Sequence, residues 1–191
     1  MKYLICWGLL LFLLTNCGIH LPQTELSYKG KRHPCHVAIL PFTNETKQVR
    51  LGRLVYRIFL SQLSMSKDFQ VIEEGRVRNL LRLERCLVGH EPPPRVLRVL
   101  GQRLKVEAII TGTVLEAEED PEHVSLAFII WVRDSKTGDL LWSTYHARRG
   151  EEYQKVLHFG KVFTLTSLTE RMVQEILNDW EKKGLGGCLS K

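Results

Sequence analysis

Hydrophobic and polar positions alternate through the stretch from Glu122 to Arg149. Val124, Leu126, Phe128, Ile130 and Val132 point to one side of an extended chain; Ser125, Ala127, Ile129 and Trp131 point to the other. Both sides turn apolar in the middle, which predicts a central strand covered on both faces. Asp134-Ser135-Lys136-Thr137-Gly138-Asp139 is a dense turn signal, with Gly138 free to take the positive φ that closes a short hairpin. Leu140 to Ala147 predicts the return strand, with Leu140 and Trp142 on one face and Leu141 and Tyr145 on the other. A hairpin with apolar faces is not stable alone in water, so the rest of the chain must supply covering layers.

Those layers are readable from periodicity. Val37 to Phe42 is a short apolar run stopped by Pro41, and predicts a buried strand. From Gln48 to Ser64, Leu51, Leu54, Val55, Ile58, Phe59 and Leu63 recur at helical spacing, with Thr46 as the expected N-cap. Phe69 to Ile72 predicts a second strand, and Glu73 to Cys86 a second helix through Val77, Leu80 and Leu81. Pro92-Pro93-Pro94 fixes the entry of a short helix over Arg95 to Leu104. Val106 to Ala117 predicts a third strand, where Gly112 marks a bulge or a close backbone approach. The acidic run from Glu116 to Asp120 is a solvated turn. The last helix spans Lys161 to Lys182, with Leu165, Leu168, Met172, Val173, Ile176, Leu177 and Trp180 on one stripe. Ser167 and Glu170 have the spacing of a capping box. The fold class is therefore α/β: a mixed β-sheet of about five strands layered with helices, the final helix packing on the hairpin.

Composition changes the picture at the N-terminus. The chain has 191 residues, enough for one ordinary domain and a leader. Met1-Lys2-Tyr3 supplies one positive charge, Leu4 to Leu14 is a nearly unbroken apolar run, and Thr15-Asn16-Cys17-Gly18 follows. That order describes a secretory signal peptide rather than a membrane span, which needs about 20 apolar residues. Leu14-Thr15-Asn16-Cys17 resembles the lipobox of bacterial lipoproteins. The resemblance implies cleavage before Cys17, acylation of its thiol and new amino group, and, with Gly18 next, an outer-membrane location. The expected organisation is a signal peptide over 1–16, a lipid-anchored tether over 17–35, an α/β domain over 36–183 and a flexible tail over 184–191. Cys35, Cys86 and Cys188 remain, and the sequence does not choose which of them pair.

Charge and motifs exclude more than they assign. The net charge of +6 is spread along the chain with Lys and Arg interleaved among Asp and Glu, which does not make a nucleic-acid surface. His33-Pro34-Cys35-His36 places three potential ligands within four residues, too close to wrap one tetrahedral metal ion. There is no Gly-x-Ser-x-Gly elbow and no His-Glu-x-x-His helix. His146 and His158 are read as structural or surface residues. Arg148-Arg149 with Glu151-Glu152 is a mixed-charge loop that suits a partner surface. Trp131, Trp142 and Trp180 fill core or interface. No catalytic residue, cofactor or metal is expected.

The motifs in order carry a resemblance. Val37-Ala38-Ile39-Leu40-Pro41-Phe42 with Asn44, then a helix, then Phe69-Gln70-Val71-Ile72-Glu73, then Ala108-Ile109-Ile110-Thr111-Gly112-Thr113-Val114 and Asp134 through Trp142, look like the CsgG-like group of envelope lipoproteins. Relatives in that group include LpoB-like activators and the amino-terminal domain of TolB. The resemblance spans about residues 36–182. It implies a non-enzymatic domain facing the periplasm that assembles with copies of itself or with an envelope protein partner. Acylated Cys17 would hold it to outer-membrane lipid. The central hairpin turns after Val132-Arg133 through only a few residues, and no other connector offers two membrane strands of about 9–11 residues, so no pore is expected. An alternative is an LptE-like lipoprotein of lipopolysaccharide assembly, which Cys17-Gly18-Ile19-His20-Leu21 and the strand–helix alternation resemble.

Overall fold

The computed structural model describes residues 23–28, 32–86, 90, 92–155 and 160–188. The leader, Cys17 and His158 lie outside the described residues. In chain order the elements are β1 (Gln23–Tyr28), β2 (His36–Ile39), β3 (Thr43–Asn44), α1 (Leu51–Met65), β4 (Gln70–Val71) and α2 (Glu74–Leu83). They continue with α3 (Pro94–Leu104), β5 (Ala108–Glu119), β6 (Val124–Asp134), β7 (Leu140–Arg149), a 3-10 turn (Gly150–Tyr153) and α4 (Leu165–Lys182). The strands form one seven-stranded mixed sheet in the order β1-β7-β6-β5-β2-β4, with β3 also on β5. The pairs β2–β4, β2–β5 and β3–β5 are parallel; β5–β6, β6–β7 and β1–β7 are antiparallel. The two strands beyond the expected five are β3, only two residues long, and β1.

Alternation sorts side chains to the two faces of this sheet. Val37, Ile39, Ile110, Phe128, Ile130, Val132 and Trp142 meet α1 and α4 in the larger core. Trp180 is its centre: its ring packs edge-on against Trp142 at 5.4 Å and Phe59 at 5.8 Å, and its indole N–H donates to Thr144 Oγ1 at 2.9 Å. The final helix therefore packs on the hairpin, as expected. On the opposite face Ala38, Leu40 and Ile109 meet Val77, Leu81, Leu97 and Leu100 of α2 and α3 in a smaller core.

Helix ends differ from the expected ones. Thr46 does not cap α1: its Oγ1 accepts from Gln48 N at 3.2 Å, and Arg50 stands at the N-cap without a side-chain cap. Thr164, not Ser167, caps α4, and accepts from Ser167 N at 3.2 Å. Pro94 begins α3 at its first turn, the position the triple proline was expected to fix. Gly112 sits in regular pairing; a Cβ there would meet the Phe42 ring at 2.7 Å, so the close-approach reading holds and the bulge falls instead between Val114 and Glu116.

Three further expectations are corrected. The tether is not structureless throughout, because Gln23–Tyr28 pairs along β7 from Ala147 to Trp142. The tail is not loose from Gly184 to Cys188: Leu185 is buried, Gly187 N donates to Pro34 O, and Cys188 N donates to Asp68 O. A disulfide joins Cys35 to Cys188, leaving Cys86 as a free thiol. Finally, Leu141 does not share a face with Tyr145. A register shift lets Val132 pair with Trp142 and Arg133 with Leu140, and both Leu141 and Trp142 turn into the core.

Candidate interaction surface

The central strand was expected to be covered on both faces, and among the described residues it is covered on one. The smaller core under α2 and α3 contains no residue of β6, β7 or β1. The corresponding face of those strands carries no described helix. Paired residues share a face, so the rows across it follow from register. One row is Thr111, Trp131, Ser143 and Ser27; the next is Thr113, Ile129, Tyr145 and Glu25; then come Glu116, Ala127 and Ala147, and Glu118, Ser125 and Arg149. Trp131, Ile129 and Tyr145 are half-buried, whereas Glu25, Glu116 and Glu118 are exposed. The result is an apolar, aromatic centre with a rim of three carboxylates, Glu25, Glu116 and Glu118, against one cation, Arg149. Burial and then the charges of Glu116 and Glu25 push the Tyr145 hydroxyl up, so it stays protonated and able to donate. Such a face has the make-up of a protein-docking patch.

On the other side of β7 a polar cluster fastens the edge strand. His146 is buried, with Nδ1 at 2.8 Å from Thr24 Oγ1 and Nε2 at 3.0 Å from Glu175 Oε2. A carboxylate only accepts, so Nε2 carries the proton and the Thr24 hydroxyl donates to Nδ1. Arg148 closes the ring, donating from Nε to Glu175 Oε2 at 3.0 Å and from Nη2 to Thr24 Oγ1 at 2.9 Å. Burial holds the His146 imidazole below its ordinary 6.5, against the opposing pull of Glu175. Burial would raise the Glu175 carboxyl, but the His146 hydrogen bond and the Arg148 guanidinium outweigh it and hold it low. All these groups are satisfied by one another, which makes the cluster a latch between β1, β7 and α4.

No family model and no curated protein matches the chain. Solved structures do. The PelC dodecamer from Paraburkholderia phytofirmans is 12% identical over 82% of this chain and 95% of that one, with a TM-score of 0.52. Lipoprotein GNA1162 from Neisseria meningitidis is 19% identical over 78% of this chain and 99% of that one, also at 0.52. The LpoB C-terminal domain from Escherichia coli aligns more loosely, 9% identical over 63% of this chain and 87% of that one, at 0.48. At these identities the likeness is one of fold. The chain has the α/β fold of PelC and of a Neisseria lipoprotein, the kind of fold the resemblance implied.

The remaining candidates fall into structural places. Cys35 is in the disulfide and has no thiolate to offer a metal. Arg149 and Glu152 close the 3-10 turn, Arg149 N donating to Glu152 Oε1 at 3.2 Å, while Glu151 pairs with His123 at 3.2 Å. Within the mixed-charge loop Arg148, Glu151 and Glu152 thus have partners inside the fold. Trp142 and Trp180 are core, and Trp131 alone of the three lies on the open face. Periodicity named Trp131 and Ile129 as apolar, but it does not say whether an apolar face meets a helix or a partner. The signal that separates them is the neighbouring rim: Glu116, Glu118 and Glu25 alternate onto the same side, where a helix-covered sheet would carry apolar residues.

Proposed function

We propose that the protein is a non-enzymatic, lipid-anchored interaction module of the outer membrane, facing the periplasm and serving envelope assembly as a scaffold. In this reading residues 1–16 are removed as a signal peptide and Cys17 carries the acyl chains. Each buried methylene contributes about 0.8 kcal/mol, so several chains hold a protein on a bilayer without a spanning helix. The observation that carries the reading is the open half of the sheet, with Trp131, Ile129 and Tyr145 half-buried and no described helix over them. A second copy or an envelope partner is its natural cover. The PelC structures, described as dodecamers, favour copies of the same chain. The Cys35–Cys188 bridge fits an exported domain, since such bonds persist outside the reducing cytosol.

The anchor would also sit close to the body. From Cys17 to Gln23, the first residue of β1, the chain advances six residues and reaches about 20 Å at most. Metabolic labelling with a fatty acid tests the anchor. The wild type is expected to take up label, and Cys17→Ala to lose it while the protein is still exported. An unlabelled wild type would remove the reading. Stable co-purification with an outer-membrane barrel in place of self-assembly would move it to the LptE-like alternative.

A further inference from the structure

The acidic, aromatic face has a counterpart on the opposite side of the molecule. No Asp or Glu occurs between Thr46 and Ser66, a stretch that contains Lys47, Arg50, Arg53 and Arg57. Arg50, Arg53 and Arg57 are spaced at i, i+3 and i+7, so they form one row on the outer side of α1. All three are exposed, and none has an ion-pair partner among the described residues. Beside the row, between α1 and α4, runs a groove of about 530 Å³ whose walls include Leu51, Leu54 and Leu165. Val49, at its mouth, is 90% exposed.

We infer that the arginine row of α1 docks on the open sheet face of a second copy of this chain, head to tail. The inference rests on the self-assembly part of the function proposed above and names the two surfaces involved. Three observations carry it. The charges are complementary: three unpaired guanidiniums against Glu25, Glu116 and Glu118. The spacings agree: Arg53 and Arg57 are about 6 Å apart along a helix, and Glu116 and Glu118 about 7 Å apart along a strand. The apolar parts also match, because the open face offers Trp131 and Tyr145 rings on which guanidiniums stack, and the groove offers an apolar recess to Trp131. The two surfaces lie on opposite faces of one sheet, so a contact between them leaves one of each free. Such a heterologous contact propagates, and closes into a ring when the rotation allows.

Charge reversal tests this on the acylated mature protein in detergent, sized by analytical ultracentrifugation, with circular dichroism to check that each variant is folded. Arg53→Glu with Arg57→Glu puts acid against acid. Glu116→Arg with Glu118→Arg puts base against base. Each double variant alone is expected to be monomeric, its dissociation constant raised by roughly two orders of magnitude by like-charge juxtaposition. Mixed one to one, the two are expected to assemble again, because every contact between unlike copies is then complementary. Arg95→Glu with Arg98→Glu on α3 changes charge equally but off the interface, and is expected to leave assembly intact. A wild type that is monomeric would overturn the self-assembly reading itself. A wild type that assembles while both double variants assemble equally well would overturn only this interface, as would a mixture that stays monomeric.

Discussion

At the scale of single residues, His146 is where chemistry and fold meet. In the ring of Thr24, His146, Glu175 and Arg148 it is burial that disfavours the charged imidazole, and the neutral form accepts at Nδ1 from Thr24 while donating from Nε2 to Glu175. The folded state holds this His below the ordinary 6.5, so the unfolded chain binds the proton more readily. Stability is then lost as pH falls through about 6.5 toward the depressed folded value, and is fully present above it. Glu175 and Glu151, held low in the fold, lose their contribution in a separate window below the ordinary carboxylate range. Melting curves between pH 8 and pH 5 are expected to show a falling Tm in the wild type. In His146→Gln that fall is expected to shrink, while stability at pH 8 drops by roughly 1–3 kcal/mol for buried partners left unmatched. An unchanged pH profile in the variant would count against the latch. Little of this was legible in the sequence. His146 was visible only as a histidine on a strand, since its partners are 29 residues ahead on α4 and 122 residues behind on β1. The turn residues fared better: Gly138 takes φ +82° and Asp134 Oδ1 accepts from Lys136 N and Thr137 N, all within the window that predicted the turn. Local chemistry is encoded locally, and contacts across the fold are not.

At the scale of elements, helices with a clean 3.6-residue stripe were legible to within a few residues, as α1, α2, α3 and α4 show. The failures have one physical cause, pairing at a distance. β1 has little apolar alternation of its own and becomes a strand because β7 presents an open edge to it. Gly184 to Cys188 looks like a frayed end and is instead fixed by the disulfide, by Pro34 and by Asp68. The bridge closes a loop with a sequence separation of 153 residues. On chain-entropy grounds a closure of that length contributes about 5 kcal/mol, and strain or residual unfolded structure lowers the figure. Cys188→Ser is therefore expected to destabilise the domain by roughly 2–5 kcal/mol in denaturant titration. Cys86→Ser is expected to change little, because Cys86 only borders the smaller core. Equal stabilities for the wild type and Cys188→Ser under oxidising conditions would show that the tail is held by packing alone.

At the scale of the whole molecule, the described residues place two helices on one face of the sheet and two on half of the other, and leave one surface without a described cover. The reading of β6 as apolar on both sides was right as to residues and wrong as to cover, and that difference is what marks the docking face. Fluorescence separates the two situations. Trp142 and Trp180 are fully buried, while Trp131 is half-buried on the open face. In a monomer, such as the Arg53→Glu and Arg57→Glu variant, acrylamide is expected to quench one tryptophan component and spare the rest. Trp131→Phe in that background is expected to remove the quenchable component, which assigns it. In the wild-type assembly Trp131 enters the groove between α1 and α4 of the next copy, so the same component is expected to become shielded. Raising the salt concentration is expected to restore quenching, since exposed charges are screened within about 8–10 Å at ordinary ionic strength and less than that in concentrated salt. Two results would break the link between the exposed tryptophan and assembly. One is a Trp131 signal already shielded in the dispersed variant. The other is quenching in the assembled wild type as strong as in the monomer, which would put the contact on another face of the sheet.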